Sequence, residues 1–276
     1  MEIAALVLVA VGAGGIGSML GLGGGVVLVP VLTLAFGVKL QSAIAASAVS
    51  VVANSVSGSQ TYLRLRYTNI RLALVLVVAT ASGALAGGLL VVSLPPGLLR
   101  GIFASFLLSI SVLMILRRSA RARKVPGPAQ AHDPYFLEGR YADGPTSTVV
   151  QYVPSRLRAG LVGSGAAGML SGLFGIGGGP VTVPLMTLAM RVPLKAAAST
   201  SGFMVGLTAS VSAFVYYNAG FVDPSVTVPV LFGIIVGARV GVRIATRLRP
   251  DILGSVFIAV MLVLAGLMYL DAFNVL

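Results

Sequence analysis

The stretch Gly21-Leu22-Gly23-Gly24-Gly25-Val26-Val27-Leu28-Val29-Pro30 returns 154 positions later as Gly175-Ile176-Gly177-Gly178-Gly179-Pro180-Val181-Thr182-Val183-Pro184. From Gly21 to Val38, 11 of 18 positions are identical to Gly175 to Val192. Chance would give about two at ordinary residue frequencies. Glycine lacks the side chain that confines backbone angles, and a run of it weakens a helix. Each copy therefore marks a place where an apolar helix breaks and restarts. The residues after each run, 26–36 and 181–190, make roughly 16 Å of helix, too short to cross about 30 Å of hydrocarbon.

The sequence around these breaks is that of a polytopic membrane protein. Of 276 residues, 57% are hydrophobic and 9% charged, against about 25% charged in soluble domains. The net charge of +12 would suggest nucleic acid in a soluble protein. In a membrane protein it follows from basic residues gathering on the cytoplasmic side, and no nucleic-acid partner is expected. No cysteine is present and the lone histidine is His132, which removes thiolate and histidine-cluster metal sites. No cofactor is expected. Met1-Glu2-Ile3 lacks the basic start of a cleavable signal peptide.

The duplication extends along the chain. Residues 40–62 and 195–217 are apolar stretches sprinkled with hydroxyls. Gly83 and Gly87 match Gly237 and Gly241 at GxxxG spacing, which lets helices approach closely. We read residues 1–116 as a first membrane repeat, 117–159 as a basic cytoplasmic linker and 160–276 as a second repeat. The expected fold is all-α, with two inverted repeats. Each holds a glycine-broken re-entrant helical hairpin and three transmembrane helices. Basic residues support the inversion. With re-entrant hairpins and a cytoplasmic linker, sixteen of the 19 Lys and Arg fall inside and only Lys39 and Arg100 outside, leaving Arg239 within a helix. Full crossings at the glycine runs give a much poorer bias. Both termini then lie outside.

Repeated halves with interrupted segments at matching positions point to a binding site at the breaks. A helix start presents unpaired N–H groups and the positive end of the helix dipole, and so attracts anions. The candidate site is Gly23, Gly24 and Gly25 with Gly177, Gly178 and Gly179. Hydroxyl and amide groups of Ser47, Asn54, Thr200 and Ser201 join it from the neighbouring helices. The competing reading of each glycine run is tight helix packing alone; the matched pair with short helices after it favours binding. A Rossmann phosphate loop fails for want of a strand–helix alternation and an acidic residue about 20 positions on. Arg239, inside an apolar stretch, is either a substrate ligand or gate, or an anchor snorkelling toward the interface beside Arg243. Asn54 and Gln60 are candidates to line a wet path. Tyr62, Tyr216 and Tyr217 read as interfacial belt residues. No Asp or Glu lies within a crossing, and outward anion movement needs none, because the membrane potential favours it by about 2.3 kcal/mol per charge per 100 mV.

The two glycine motifs, the Ala46-Ser47 and Thr200-Ser201 pairs, Asp223 and the run Gly237-Ala238-Arg239-Val240-Gly241 resemble the TauE/SafE family of sulfite and organosulfonate transporters. The resemblance covers nearly the whole chain apart from the linker. It implies a multi-pass inner-membrane transporter, often an exporter, of small sulfur-containing or carboxylate anions. The first half departs from the pattern, with Asn69 in place of Asp223 and Leu85 in place of Arg239. The expected partners are a small anionic substrate and the lipid bilayer, and a homodimer is compatible with the chain. A non-transporting scaffold or accessory subunit, or an anion channel, is the alternative class.

Overall fold

A computed structural model describes residues 3–121, 136–143, 148–248 and 250–272. The chain is built of helices α1 (Ile3–Leu20), α2 (Gly25–Leu34), α3 (Leu40–Arg64), α4 (Ile70–Val91) and α5 (Pro96–Arg121). After the linker come α6 (Leu157–Phe174), α7 (Gly179–Pro184), α8 (Leu194–Asn218), α9 (Pro224–Arg247) and α10 (Pro250–Ala272). Among the described residues, α1, α3, α4, α8 and α9 are long and apolar enough to cross a membrane.

Both glycine runs break the helix as expected. Gly21, Gly23 and Gly24 hold φ of 69°, 78° and 83°, and Gly175, Gly177 and Gly178 hold 62°, 76° and 77°. Any other L-residue would be strained there. The chain then turns back on itself. Gly24 lies against the carbonyl of Ala13, while Leu28 and Leu32 share a buried cluster with Leu6 and Ala10. In the second copy Gly178 lies by Ala167, Gly163 by Leu185 and Gly160 by Met190. The amide of Ser155 donates to Met190 O at 2.9 Å, closing the open end of the hairpin. The legs are unequal: 18 residues of α1 against 10 of α2. The second return leg also differs, since α7 passes at Pro184 into a π-helical turn, Leu185–Ala189. Proline supplies no N–H there, so the ladder is already interrupted.

The halves are packed through one another. Helix α1 of the first half lies along α9 of the second, and α6 lies along α4; α3 meets α8, and α5 meets α10. Glycines make the first two contacts. A Cβ at Gly237 or Gly241 would collide with the carbonyl of Val11 or Gly15, and one at Gly83 or Gly87 with that of Gly165 or Met169. The GxxxG pairs of the sequence thus serve equivalent contacts in the two halves. Successive contacts, Gly233 to Val7 and Gly241 to Gly15, show that α1 and α9 run in the same direction.

The loop caps repeat with one substitution. Asn69 Oδ1 accepts from the Leu72 amide at the start of α4, and Asp223 Oδ1 accepts from the Ser225 amide at the start of α9. The linker contributes an antiparallel hairpin, β1 (Gly139–Asp143) and β2 (Thr148–Tyr152), with Tyr141 opposite Val150. It is docked on the α3–α4 turn. Asn69 Nδ2 donates to Leu137 O at 2.8 Å, Arg71 donates to Phe136 O at 3.1 Å, and Tyr141 lies 5.0 Å from Tyr67, ring to ring. Arg123, Lys124 and His132 of the linker lie outside the described residues.

Candidate functional site: the paired hairpin tips

The two tips interlock at the centre of the molecule. Gly25 packs against the carbonyl of Gly175, and Gly179 against Gly21 and Leu22. Gly21 in turn abuts the carbonyl of Ala198, and Gly175 that of Ile44, the matching position of the other half. Beyond each break the amides of Val27 and Leu28 bond to Gly24 O, and those of Val181 and Thr182 to Gly178 O. The amides just before them are the ones that a helix start leaves without an intrahelical acceptor. Gly23 and Gly177 both face Val51 and Val205, which with Ala209 form a small buried apolar cluster. The tips are therefore closed over an apolar plug in this conformation.

Ser47 and Ser201 hold the tips together. Ser47 Oγ donates to Gly175 O at 2.9 Å and Ser201 Oγ to Gly21 O at 3.0 Å. Ser201 also shares a 2.7 Å hydrogen bond with Thr182 Oγ1. Each serine thus ties its own half to the opposite hairpin. Asn54 is buried and accepts from Ser18 Oγ at 2.9 Å, next to the first tip. Near the second tip the hydroxyl of Ser171, beside Gly178, is buried without a hydrogen-bond partner. Such a group has a vacant donor and acceptor beside the second tip.

Three residues stand apart. Thr200 Oγ1 accepts from the Asn69 amide at 3.0 Å, so it supports the α3–α4 turn instead of facing the tips. Gln60 is exposed. Arg239 is exposed too, on the side of α9 with Phe232, Val236 and Val240, away from the glycine face that meets α1.

The tyrosines correct the belt expectation. Tyr217 is exposed, but Tyr62 and Tyr216 are buried. Tyr62 Oη donates to Ser18 O at 3.2 Å, and Tyr216 Oη donates to Gly172 O, the matching position of the second hairpin. The phenol lets a large apolar ring enter the core while its hydroxyl closes a carbonyl near each break. One further polar residue escaped the sequence reading. Lys195, counted there only among the sixteen basic residues on the cytoplasmic side, is 5% exposed. The signal was available: in the matching stretch its position holds neutral Gln41.

On the linker face, Arg66, Arg71, Arg140 and Glu138 surround an open cleft of about 240 Å³ at the docked hairpin. Burial pushes the Tyr152 phenol at its edge up to about 12, against a weaker lowering by its hydrogen bond with Asn69, so it stays protonated.

The family model described as "Sulfite exporter TauE/SafE" matches residues 6–268. Relatives include the probable membrane transporter protein YunE of Bacillus subtilis, 27% identical over 258 residues that cover 90% of this chain and 91% of the relative. Another, YdhB of the same organism, is 27% identical over 251 residues, covering 91% and 93%. A probable membrane transporter protein of Methanocaldococcus jannaschii is 25% identical over 263 residues, covering 89% and 87%. No solved structure matches significantly. The interlocked glycine hairpins, the multi-pass helical fold and the match along nearly the whole chain agree: this membrane protein belongs to the TauE/SafE family of transporters.

Proposed function

We propose that the chain exports small sulfur-containing anions, such as sulfite or organosulfonates, across the inner membrane. The two halves are inverted with respect to the bilayer, with the termini outside and the linker in the cytoplasm. The anion is taken by the helix starts at Gly23–Gly25 and Gly177–Gly179, whose backbone amides neutralise it without a permanent cation in hydrocarbon. Alternating access then means that the hairpins part from Val51 and Val205, first toward one face and then toward the other.

The observation that supports this most is the reciprocal tie of each tip to the opposite half, Ser47 to Gly175 and Ser201 to Gly21. Such symmetric ties have two equivalent ways to open, as an alternating-access cycle requires. The membrane potential supplies a driving force for outward anion movement without a coupling residue. Efflux of radiolabelled sulfite and of a simple alkanesulfonate from proteoliposomes, under an imposed potential, tests the reading. Saturable, potential-dependent efflux is expected. Passage that rises linearly with concentration would indicate a channel, and none at all would remove transport of these anions.

A further inference from the structure

Among the described residues Lys195 is the one charged side chain that is buried. It lies in the first turn of α8, three residues before Ala198, whose carbonyl touches Gly21 at the first tip. Its side chain lines a cavity of about 10 Å³, room for about one water. A buried cation is costly unless paired; Lys195 has a partner in the protein, and its place beside the first tip sets its charge next to the proposed anion route.

The duplication shows what is particular to this spot. The equivalent region of the opposite face carries Ile44, Val91 and Val92 where the cavity carries Ala198, Ala245 and Thr246. Ile44 and Val91 are buried in the apolar core there, and Phe221 packs against it. On the linker face each of these positions is smaller or more polar. Phe221 becomes Tyr67 and half-buried Gln41 becomes Lys195. Two shortened side chains, Ala198 and Ala245, open the space, and a hydroxyl, a cation and a phenol line it.

The cavity also shares wall residues with its surroundings on both sides. Tyr67 is a wall it shares with the outer cleft of Arg66, Arg71 and Arg140. Tyr62, on the same wall, reaches Ser18 O beside the first tip. Basic cleft, Tyr67, Lys195 and glycine tip thus lie in sequence from the linker face inward.

We propose that Lys195 is an anion-binding residue on the linker side of the transport path, reached from the outer cleft when Tyr67 moves aside. This rests on the anion-transport reading above and adds to it a side-specific contact that the backbone tips lack. The ammonium has three donors, so it can hold an oxyanion and still keep a protein partner. The opposite face has neutral Gln41, so the pathway is asymmetric although the fold is duplicated. Capture is stronger at the linker side, as an exporter with a cytoplasmic linker needs.

The test is a sulfite titration of the purified full-length protein, read by thermal stability, with proteoliposome efflux measured in parallel. Wild type is expected to be stabilised saturably. Lys195→Gln should raise the half-saturating sulfite concentration by about ten-fold, the loss of one charge-assisted hydrogen bond. Lys195→Arg should retain most of the affinity. Glutamine already stands at the matching position of the first half, and Lys195→Met keeps the length of the chain; whichever of the two folds decides the point. A wild-type half-saturation in either neutral variant, with efflux intact in wild type, would overturn the role of Lys195 and leave the transport reading standing. A wild type that neither binds nor moves sulfite would overturn both.

Discussion

Ser47 Oγ donates a 2.9 Å hydrogen bond to the carbonyl of Gly175, 128 residues away and in the other half of the chain. Its repeat, Ser201 to Gly21, is 3.0 Å. Both carbonyls belong to glycines with positive φ, where the chain leaves its helix and has no ladder partner to offer. The serines replace that partner and in doing so couple the halves.

Removing one tie should therefore cost stability. Ser47→Ala or Ser201→Ala leaves a buried carbonyl without its donor, a loss of about 1–3 kcal/mol. Ser201→Ala should be the more damaging, because the 2.7 Å hydrogen bond with Thr182 Oγ1 goes as well, leaving Thr182 only its longer contacts to Gly178 O and Gly179 O. Thermal melts of the detergent-solubilised protein check this; equal melting temperatures in both variants and wild type would mean the ties carry no load.

The helix caps should show a pH difference between the halves. Hydrogen bonds from the Ser225 hydroxyl and amide hold the Asp223 carboxyl below its ordinary value. A depressed carboxylate contributes stability above its unfolded pKa of about 3.9, and that contribution is lost as pH falls through the folded value. Asp223→Asn should thus lower the melting temperature at neutral pH and converge with wild type in strong acid. Asn69 performs the same capping without a charge, so Asn69→Ser should shift the melting temperature equally at every pH.

Arg239 should prove an anchor. Its exposed place on the outer side of α9 separates it from the glycine tips. Arg239→Gln is expected to leave sulfite affinity unchanged while reducing the yield of inserted protein. A clear loss of affinity, only partly rescued by Arg239→Lys, would return it to the substrate path.

The distribution of Lys and Arg supports the proposed orientation. Reporter fusions should place both termini outside and the 117–159 segment in the cytoplasm. A cytoplasmic C-terminus would be incompatible with inverted hairpins.

What could be read in the sequence is what duplication and helix physics control together. The breaks at Gly21–Gly25 and Gly175–Gly179 were visible because glycine runs have few uses inside apolar sequence. Gly83, Gly87, Gly237 and Gly241 were visible because close packing needs their spacing. Other features depend on partners far along the chain. Tyr62 looks like a belt residue until Ser18 O is seen to receive its hydroxyl. Thr200 looks like a pore hydroxyl until the Asn69 amide is found against it. Lys195 looks like a surface charge until it is found buried, lining a small cavity with Tyr62 and Leu253. The hairpin β1–β2 gave little signal because Gly139–Asp143 has no apolar alternation of its own, and its docking depends on Tyr67 and Asn69.

The central claim is that an anion is bound by the backbone of the two tips. Valine at Gly179 would strike Gly21 and Leu22 and prevent the tips from closing on a ligand. Alanine at Gly12, where a Cβ meets nothing within 4 Å, is the control. The decisive measurement is sulfite efflux from proteoliposomes containing wild type, Gly179→Val or Gly12→Ala at matched protein content. Saturable efflux is expected from wild type and Gly12→Ala, and none from inserted, folded Gly179→Val. Efflux from Gly179→Val at the wild-type rate would contradict the central claim.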